Sequence, residues 1–389
     1  MSPAAGDRPR LYAAAFLRSL ATGLSGVLLG LYLARVGLNA TTIGYAISAG
    51  LGGGALAATI TAFFGDRIGR RRMLVAVNAL GAAGGLALAF GHSPWLLIAA
   101  SFAGMVNGMG RDRGATLILD QAILPGTTDN AGRTKVFAVY NVCQDVGHAV
   151  GGLLAAIPDM KLAFLIYSGL LAAAAILDLT LSGAVEPAEP TRRPTLSPKS
   201  RSLITRISAL FAMDSLGGGF LTTSLLAYFF HERFGVAAGT IGLLFFAARV
   251  ANAGSHLGAA WLAKRIGLVN TMVFTHLPSS LLLLTVPFAP NFTVAAILFL
   301  LRESLVEMDV PTRQSYVMAV VAPEERTVAS GITHLVRLTA WAVAPAFAGA
   351  MMTGALGAPL AAGAGMKIAY DILLWRAFRK VRPPEEAAA

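Results

Sequence analysis

Gly65-Asp66-Arg67-Ile68-Gly69-Arg70-Arg71-Arg72 is a charged stretch set between two apolar runs, about 41–64 and 73–90, that carry no charge. Each run approaches the roughly 20 residues that a helix needs to cross a bilayer. A short polar insert between two such runs reads as a tight loop at a membrane surface. Short loops rich in Lys and Arg stay on the cytoplasmic side, so the arginines also predict which surface it is.

Composition agrees with a membrane protein. The chain has 389 residues, of which 56% are hydrophobic and only 13% charged, and its mean hydropathy is +0.66. A soluble domain carries about 25% charged residues. The net charge of +11 raises the question of nucleic acid, but the basic residues sit in short loops and at span ends rather than on one soluble face. No nucleic-acid partner is expected. A single cysteine, Cys143, excludes an internal disulfide and a Cys-rich metal site. The polar start is short, and the apolar run after it is too long for a cleaved signal peptide, so it is expected to be the first span.

Apolar length predicts twelve spanning helices, at about 11–34, 41–64, 73–92, 95–118, 135–157, 162–182, 207–230, 238–262, 270–289, 292–318, 328–352 and 356–376. The one long polar segment, 186–206, divides the chain into an N-terminal six-helix bundle (1–185) and a C-terminal one (207–389) with a short tail. With an even number of spans, both termini share a side. That side holds Arg67, Arg70, Arg71, Arg72, Arg133, Lys135, Arg192, Arg193 and Arg265, while the opposite loops hold only Arg35, Lys161 and Arg233. Both termini are therefore expected in the cytoplasm, with the chain multi-pass in the cell inner (plasma) membrane.

The halves repeat. Thr42-Ile43-Gly44 matches Thr240-Ile241-Gly242, and in the same register Arg67-Ile68-Gly69 matches Arg265-Ile266-Gly267, with Lys264 where Asp66 stands. Arg35-Val36-Gly37 matches Arg233-Phe234-Gly235, and a two-residue slip aligns Arg18-Ser19-Leu20 with Asp214-Ser215-Leu216. Parallel repeats of this kind place a substrate site near the bilayer midplane.

The order Asp-Arg-x-Gly-Arg-Arg resembles the signature loop between the second and third helices of the major facilitator superfamily, in particular of its bacterial twelve-helix transporters. The resemblance covers nearly the whole chain. It implies an all-α membrane fold of two pseudo-symmetric six-helix bundles and transport by alternating access. It also implies a conformational gate in this loop: Asp66 as acceptor, Arg67, Arg70 and Arg71 as the basic members, and Gly69 at the turn. The resemblance to drug:proton antiporters is more distant. Their fourth-helix pattern Arg-x-x-Gln-Gly-x-Gly meets Gly104-Met105-Val106-Asn107-Gly108-Met109-Gly110 here, with Asn107 for Gln and no Arg at the first position. Their fifth-helix Gly-x-x-x-Gly-Pro-x-x-Gly-Gly meets Cys143 and then Gly147-His148-Ala149-Val150-Gly151-Gly152, without the first Gly and the Pro.

Ionisable residues within spans are costly and default to function. Arg18 and Asp214, at equivalent repeat positions, are expected to face each other across the pathway. Asp214 precedes Gly217-Gly218-Gly219, which should loosen its helix. Glu303 and Glu307 lie one turn apart in the tenth span, and paired carboxylates in low dielectric hold a proton near neutral pH. They are proton-coupling candidates with Asp214; the bland alternative pairs them with Arg302, Arg249 or Arg337. Asp309 and Arg313 read as a structural ion pair. Asn107, Arg111, Gln144, Asp145, His148, Arg18, Arg302 and Arg337 are the substrate-binding candidates. Asp112, Arg113 and Asp120 add charge to the fourth span, and His276 in the ninth is expected to be structural.

No phosphate loop, nucleophile elbow or metal-ligand spacing is present, so neither ATP drive, an enzyme, a metal nor a cofactor is expected. The expected function is secondary transport, with proton-coupled export (antiport) of a small organic molecule by a monomer embedded in lipid. An anion carrier using the cavity arginines, and a non-transporting receptor or lipid-interacting protein, are the competing readings.

Overall fold

The computed structural model describes residues 5–111, 114–128, 133–187, 197–309, 313, 316, 317, 321 and 325–378. They are almost wholly helical: α1 (Arg8–Arg35), α2 (Ala40–Ile68), α3 (Arg70–Phe90), α4 (Pro94–Ala103), α5 (Ala115–Ile123), α6 (Arg133–Leu153), α7 (Met160–Leu179), α8 (Pro198–Gly219), α9 (Thr223–Phe234), α10 (Ala238–Ile266), α11 (Leu268–Thr285), α12 (Phe292–Val306), α13 (Arg326–Gly354) and α14 (Ala358–Phe378). Among the described residues, counting α4 with α5 and α8 with α9 as interrupted spans leaves the twelve-span layout that the hydropathy predicts.

Start signals are local. Asn39 caps α2 by accepting from the Thr42 amide at 2.9 Å, and Asp159 caps α7 through Lys161 and Leu162. Pro94 and Pro198 open α4 and α8, where a missing N–H costs nothing. Gly69 separates α2 from α3 at φ 104°, a backbone that side-chain-bearing residues rarely adopt. α8 begins at Pro198, inside the polar segment expected to be a linker.

The helices form two compact units. The first comprises Met1–Thr191 with Thr222–Leu243 and Pro345–Thr353, and the second comprises Arg192–Leu221, Leu244–Ala344 and Gly354–Ala389. In the first unit α1 is the axis: residues 14–33 are almost all buried, and it packs on α6, α7 and α9. One core cluster joins Leu11, Met73, Leu74, Leu119, Val136 and Leu181. In the second unit, Ile207, Phe211, Met272, Tyr316, Tyr370 and Leu374 form the corresponding core.

Glycine sets the helix spacing, as expected where lipid offers no hydrophobic drive and close contact supplies the attraction. A Cβ at Gly53 would lie 1.9 Å from the Phe102 carbonyl oxygen, and one at Gly50 would lie 2.1 Å from that of Val106. Gly147 and Gly151, kept from the fifth-helix antiporter pattern, similarly let α6 lie against the α1 backbone at Phe16 and Leu20.

These approaches predict that Gly53→Val lowers thermal stability by about 1–3 kcal/mol through overpacking. Gly54→Ala, at a helical position with open space, should leave stability equal or slightly raised. Size-exclusion thermostability of the two purified variants checks both.

Candidate functional site

The fourth span is interrupted, against the expectation of a continuous helix over 95–118. α4 stops at Ala103, and α5 starts only at Ala115. Met105 has φ 51° and Gly110 φ 69°. Asn107 folds back on its own segment: its amide donates to the Arg111 carbonyl at 2.6 Å, and its oxygen accepts from the Met109 amide at 2.7 Å. Short polar side chains that satisfy the backbone locally compete with helix, and glycines lower the resistance to it. Asp112 and Arg113 lie outside the described residues.

The seventh span breaks where the glycine run predicts. α8 ends at Gly219, and Thr222 caps α9 by accepting from the Leu225 amide at 3.3 Å. The two breaks meet in the first unit. The Ser224 amide donates to the Gly108 carbonyl at 3.0 Å, and the Thr223 hydroxyl donates to the Met109 carbonyl at 2.8 Å. Ser25 donates to the Asn107 carbonyl at 3.0 Å, and the Ser224 hydroxyl to the Gly26 carbonyl at 2.8 Å. Irregular backbone at membrane depth persists only where its polar groups find partners inside the protein, and this clamp supplies them.

Below the clamp, α1 carries a buried ion pair. Arg18 pairs with Asp120, which also accepts from the Tyr140 hydroxyl at 2.8 Å; that hydroxyl accepts from Gln144 at 3.2 Å. Asn78 donates to Asp178 at 2.6 Å. Arg18 thus has its counter-charge in Asp120 of the same unit. Gln144 and His148 are buried, whereas Asp145 is exposed; Asn107 and Arg111 are half-buried in the break.

The charged loop is held by a residue the sequence reading passed over. Glu186 accepts from the Arg70 amide at 2.6 Å and the Arg71 amide at 3.1 Å, so a carboxylate sits on the N-terminus of α3. Arg70 donates to Asp66 at 2.8 Å and to the Ala122 carbonyl at 3.2 Å, and Arg71 donates to the Leu181 carbonyl at 3.0 Å. Arg67 is exposed.

The second unit holds a larger network. Asp214 on α8 accepts from Lys367 on α14 at 2.7 Å and from Arg313 at 3.4 Å, with Arg337 on α13 at 3.9 Å. Arg313 also pairs with Asp309. His276 on α11 lies 3.7 Å from Asp214 through Nε2, and 2.9 and 3.0 Å from the two Asp371 oxygens through Nδ1. Arg337 bonds Ser215 at 3.0 Å and lies over Trp341. Arg302 pairs with Glu303, which also accepts from Asn252 at 2.9 Å. The alternative reading of Glu303 as half of an ion pair therefore fits. α12 ends at Val306, so Glu307, at its C-cap, does not extend a regular helical face, and 310–312 lie outside the described residues.

Known proteins supply the family. The family profile described as Major Facilitator Superfamily matches residues 11–345. The chain belongs to the Major Facilitator Superfamily. It is a membrane transporter of that superfamily and not an enzyme. An uncharacterized membrane protein of Saccharomyces cerevisiae, YJR124C, is 26% identical over 393 aligned residues, covering 89% of this chain and 88% of that one. Among solved structures, a mutant of the nucleoside transporter NupG superposes with TM-score 0.79 at 14% identity, over 96% of this chain and 100% of that one. A bacterial homolog of the human lysosomal transporter Spinster, inward-facing and unoccupied, gives 0.71 at 13% identity, over 97% and 96%. A peptide transporter in complex with sulfate gives 0.76 at 13%, over 96% and 94%. At these identities the structures share the fold.

Within this superfamily member, Lys367, Asp371, Asp178 and Glu186 are among the charged groups that the sequence did not single out. Lys367 and Asp371 stand four residues apart in the last span, a spacing that puts both on one helix face and that the rule for intramembrane charges would have flagged.

The clamp predicts that Ser224→Ala and Thr223→Val each lose about 1 kcal/mol of local stability. Hydrogen–deuterium exchange should show peptides over 104–114 exchanging faster, with peptides over 358–378 unchanged.

Proposed function

We propose that this superfamily transporter is a proton-coupled secondary transporter that exports a small organic molecule by antiport, working as a monomer in the cell inner membrane with both termini cytoplasmic. The observation that carries the reading is the network around Asp214. A carboxylate bonded by buried Lys367 and Arg313 sits five residues before the break in its own helix. Changing the charge around it changes what holds the two helical pieces in place, which is how ion binding biases a two-state element. Nucleoside and peptide transporters are among the structures that share this fold, and the reading takes a small organic molecule as cargo in line with them.

Asp214 is the proton-coupling group on this reading. Glu303 and Glu307 remain in that set, although Glu303 is matched by Arg302. Cargo contacts are assigned to Asn107, Arg111, Gln144, Asp145, His148 and Arg337. Arg18 and Arg302 belong to the cargo set only if their carboxylates release them; their pairing disfavours the anion-carrier reading. Asp66, Arg67, Gly69, Arg70 and Arg71 form the gate. The Glu186 contact adds a tie that opens or closes with the loop. The six-plus-six division at 186–206 remains the domain reading for this cycle.

Reconstitution into liposomes tests the proposal. Efflux of a panel of nucleosides, peptides and amphiphilic cations is followed with and without an imposed pH gradient. A gradient that accelerates movement of at least one compound supports it, and no movement of any compound, or movement indifferent to the gradient, overturns it.

The gate reading predicts that Asp66→Asn lowers turnover while leaving cargo affinity within about three-fold, because the lost ion pair affects interconversion and not the binding groups. Concentration dependence of initial rates separates the two. A large affinity loss would instead make Asp66 a binding residue.

A further inference from the structure

The network in the second unit contains a group whose protonation the arrangement makes consequential. Lys367 Nζ lies 3.4 Å from His276 Nε2. An ammonium only donates, so Nε2 must accept, and the ring proton sits on Nδ1 and is donated to Asp371 at 2.9 Å. Lys367 simultaneously donates to Asp214 at 2.7 Å. A continuous hydrogen-bonded chain thus runs from Asp214 through Lys367 and His276 to Asp371, with His276, Asp214 and Asp371 all buried.

The charges that these bonds and ion pairs join are Asp214, Asp309 and Asp371 against Lys367, Arg313 and Arg337. With His276 neutral they cancel, and one added proton leaves a net positive charge. The other groups around the ring are accounted for: Arg302 is matched by Glu303, Glu307 acts on Asp309 and Arg313, and the Tyr370 ring stands edge-on to the imidazole at 5.9 Å.

We propose that the His276–Asp371 pair is the proton-exchange site of this transporter, and that its occupancy controls the hold of Lys367 on Asp214. A proton arriving from water forms an N–H bond at Nε2, or an O–H bond on Asp371 with the imidazole turned. In the first case the new Nε2–H and the Lys367 ammonium are two donors face to face. The ring then competes with Lys367 for Asp214, which stands 3.7 Å away. In the second case Asp371 no longer counters the cations, and Lys367 depends on Asp214 alone. Either way, one proton redistributes the contacts of the carboxylate that sits just before the break in the seventh span. The proposal rests on the proton-coupled reading above for its role in transport, but the site itself is testable without cargo.

The test uses the purified chain in lipid nanodiscs, with the proton as the only probe. Infrared difference spectra between about pH 5 and pH 9, the range in which histidine-linked sites change charge, are compared for the wild type, His276→Gln and Asp371→Asn. The expected result is an imidazolium or carboxylic-acid band that is present in the wild type and lost in both variants. Histidine NMR on a chain keeping only His276, with His92, His148, His231, His256 and His334 replaced, gives the same answer without touching the pair. There, a shift of the Nδ1-protonated neutral ring across the range, or of the ring's environment as Asp371 titrates, is expected. Spectra in which neither group changes over that range overturn the proposal. In liposomes, His276→Gln should abolish acceleration by a pH gradient. If the pair titrates but wild-type transport ignores the gradient, the proton-coupled reading falls and the site stands; if transport follows the gradient equally in wild type and His276→Gln, the coupling role falls and the reading stands.

Discussion

The 2.7 Å contact between Lys367 and Asp214 is the constraint from which the second unit is built. A charge taken from water into a span is tolerated only with a matched partner, and removing one partner of a buried pair costs about 3–5 kcal/mol. The sequence places Asp214 on α8, Lys367 and Asp371 on α14, His276 on α11 and Arg337 on α13, so satisfying one carboxylate fixes the packing of four helices. In the first unit Arg18 and Asp120 play the same part between α1 and α5, with Tyr140 and Gln144 extending the network into α6. Among the described residues, Arg18 and Asp214 each have a counter-charge in their own unit.

Backbone polarity is treated by the same rule. A helix interrupted at membrane depth leaves carbonyls and amides without partners, each at a cost of several kcal/mol in hydrocarbon. The break at 104–114 and the break after Gly219 resolve this by using each other. Carbonyls of Asn107, Gly108 and Met109 accept from Ser25, Ser224 and Thr223. Glycine is required there by distance: a Cβ at Gly110 would lie 2.9 Å from the Thr223 hydroxyl, and one at Gly26 would lie 2.4 Å from Gly110. The glycines shared with the antiporter patterns thus have a packing reason that holds whatever the cargo is.

Much of the fold was legible because its signals are local. Apolar length and the Gly65–Arg72 loop need only neighbouring residues, the internal repeat needs only a constant offset along the chain, and together they led to the layout and to the superfamily. The break after Gly219 was legible for the same reason. The break between Ala103 and Ala115 was not, since the apolar runs on either side read as one span, although Asn107, the glycines and the charged Arg111-Asp112-Arg113 between them hint at it. The charge pairs were least legible. Arg18 and Asp120 are 102 positions apart, and Asp214 and Lys367 are 153 apart, so no periodicity links them. Glu186 was hidden differently: a lone acid at the head of a polar segment reads as solvated, and only folding brings it onto the start of α3.

That Lys367 and Asp214 hold each other as a matched buried pair is tested most directly by thermal unfolding of a double-mutant cycle at the two residues in the purified protein. Asp214→Asn and Lys367→Met should each lower stability by about 3–5 kcal/mol, and the double variant should recover much of that loss, because no charge is then left without its counter-charge. Additive losses in the double variant, or single variants as stable as the wild type, would contradict the account.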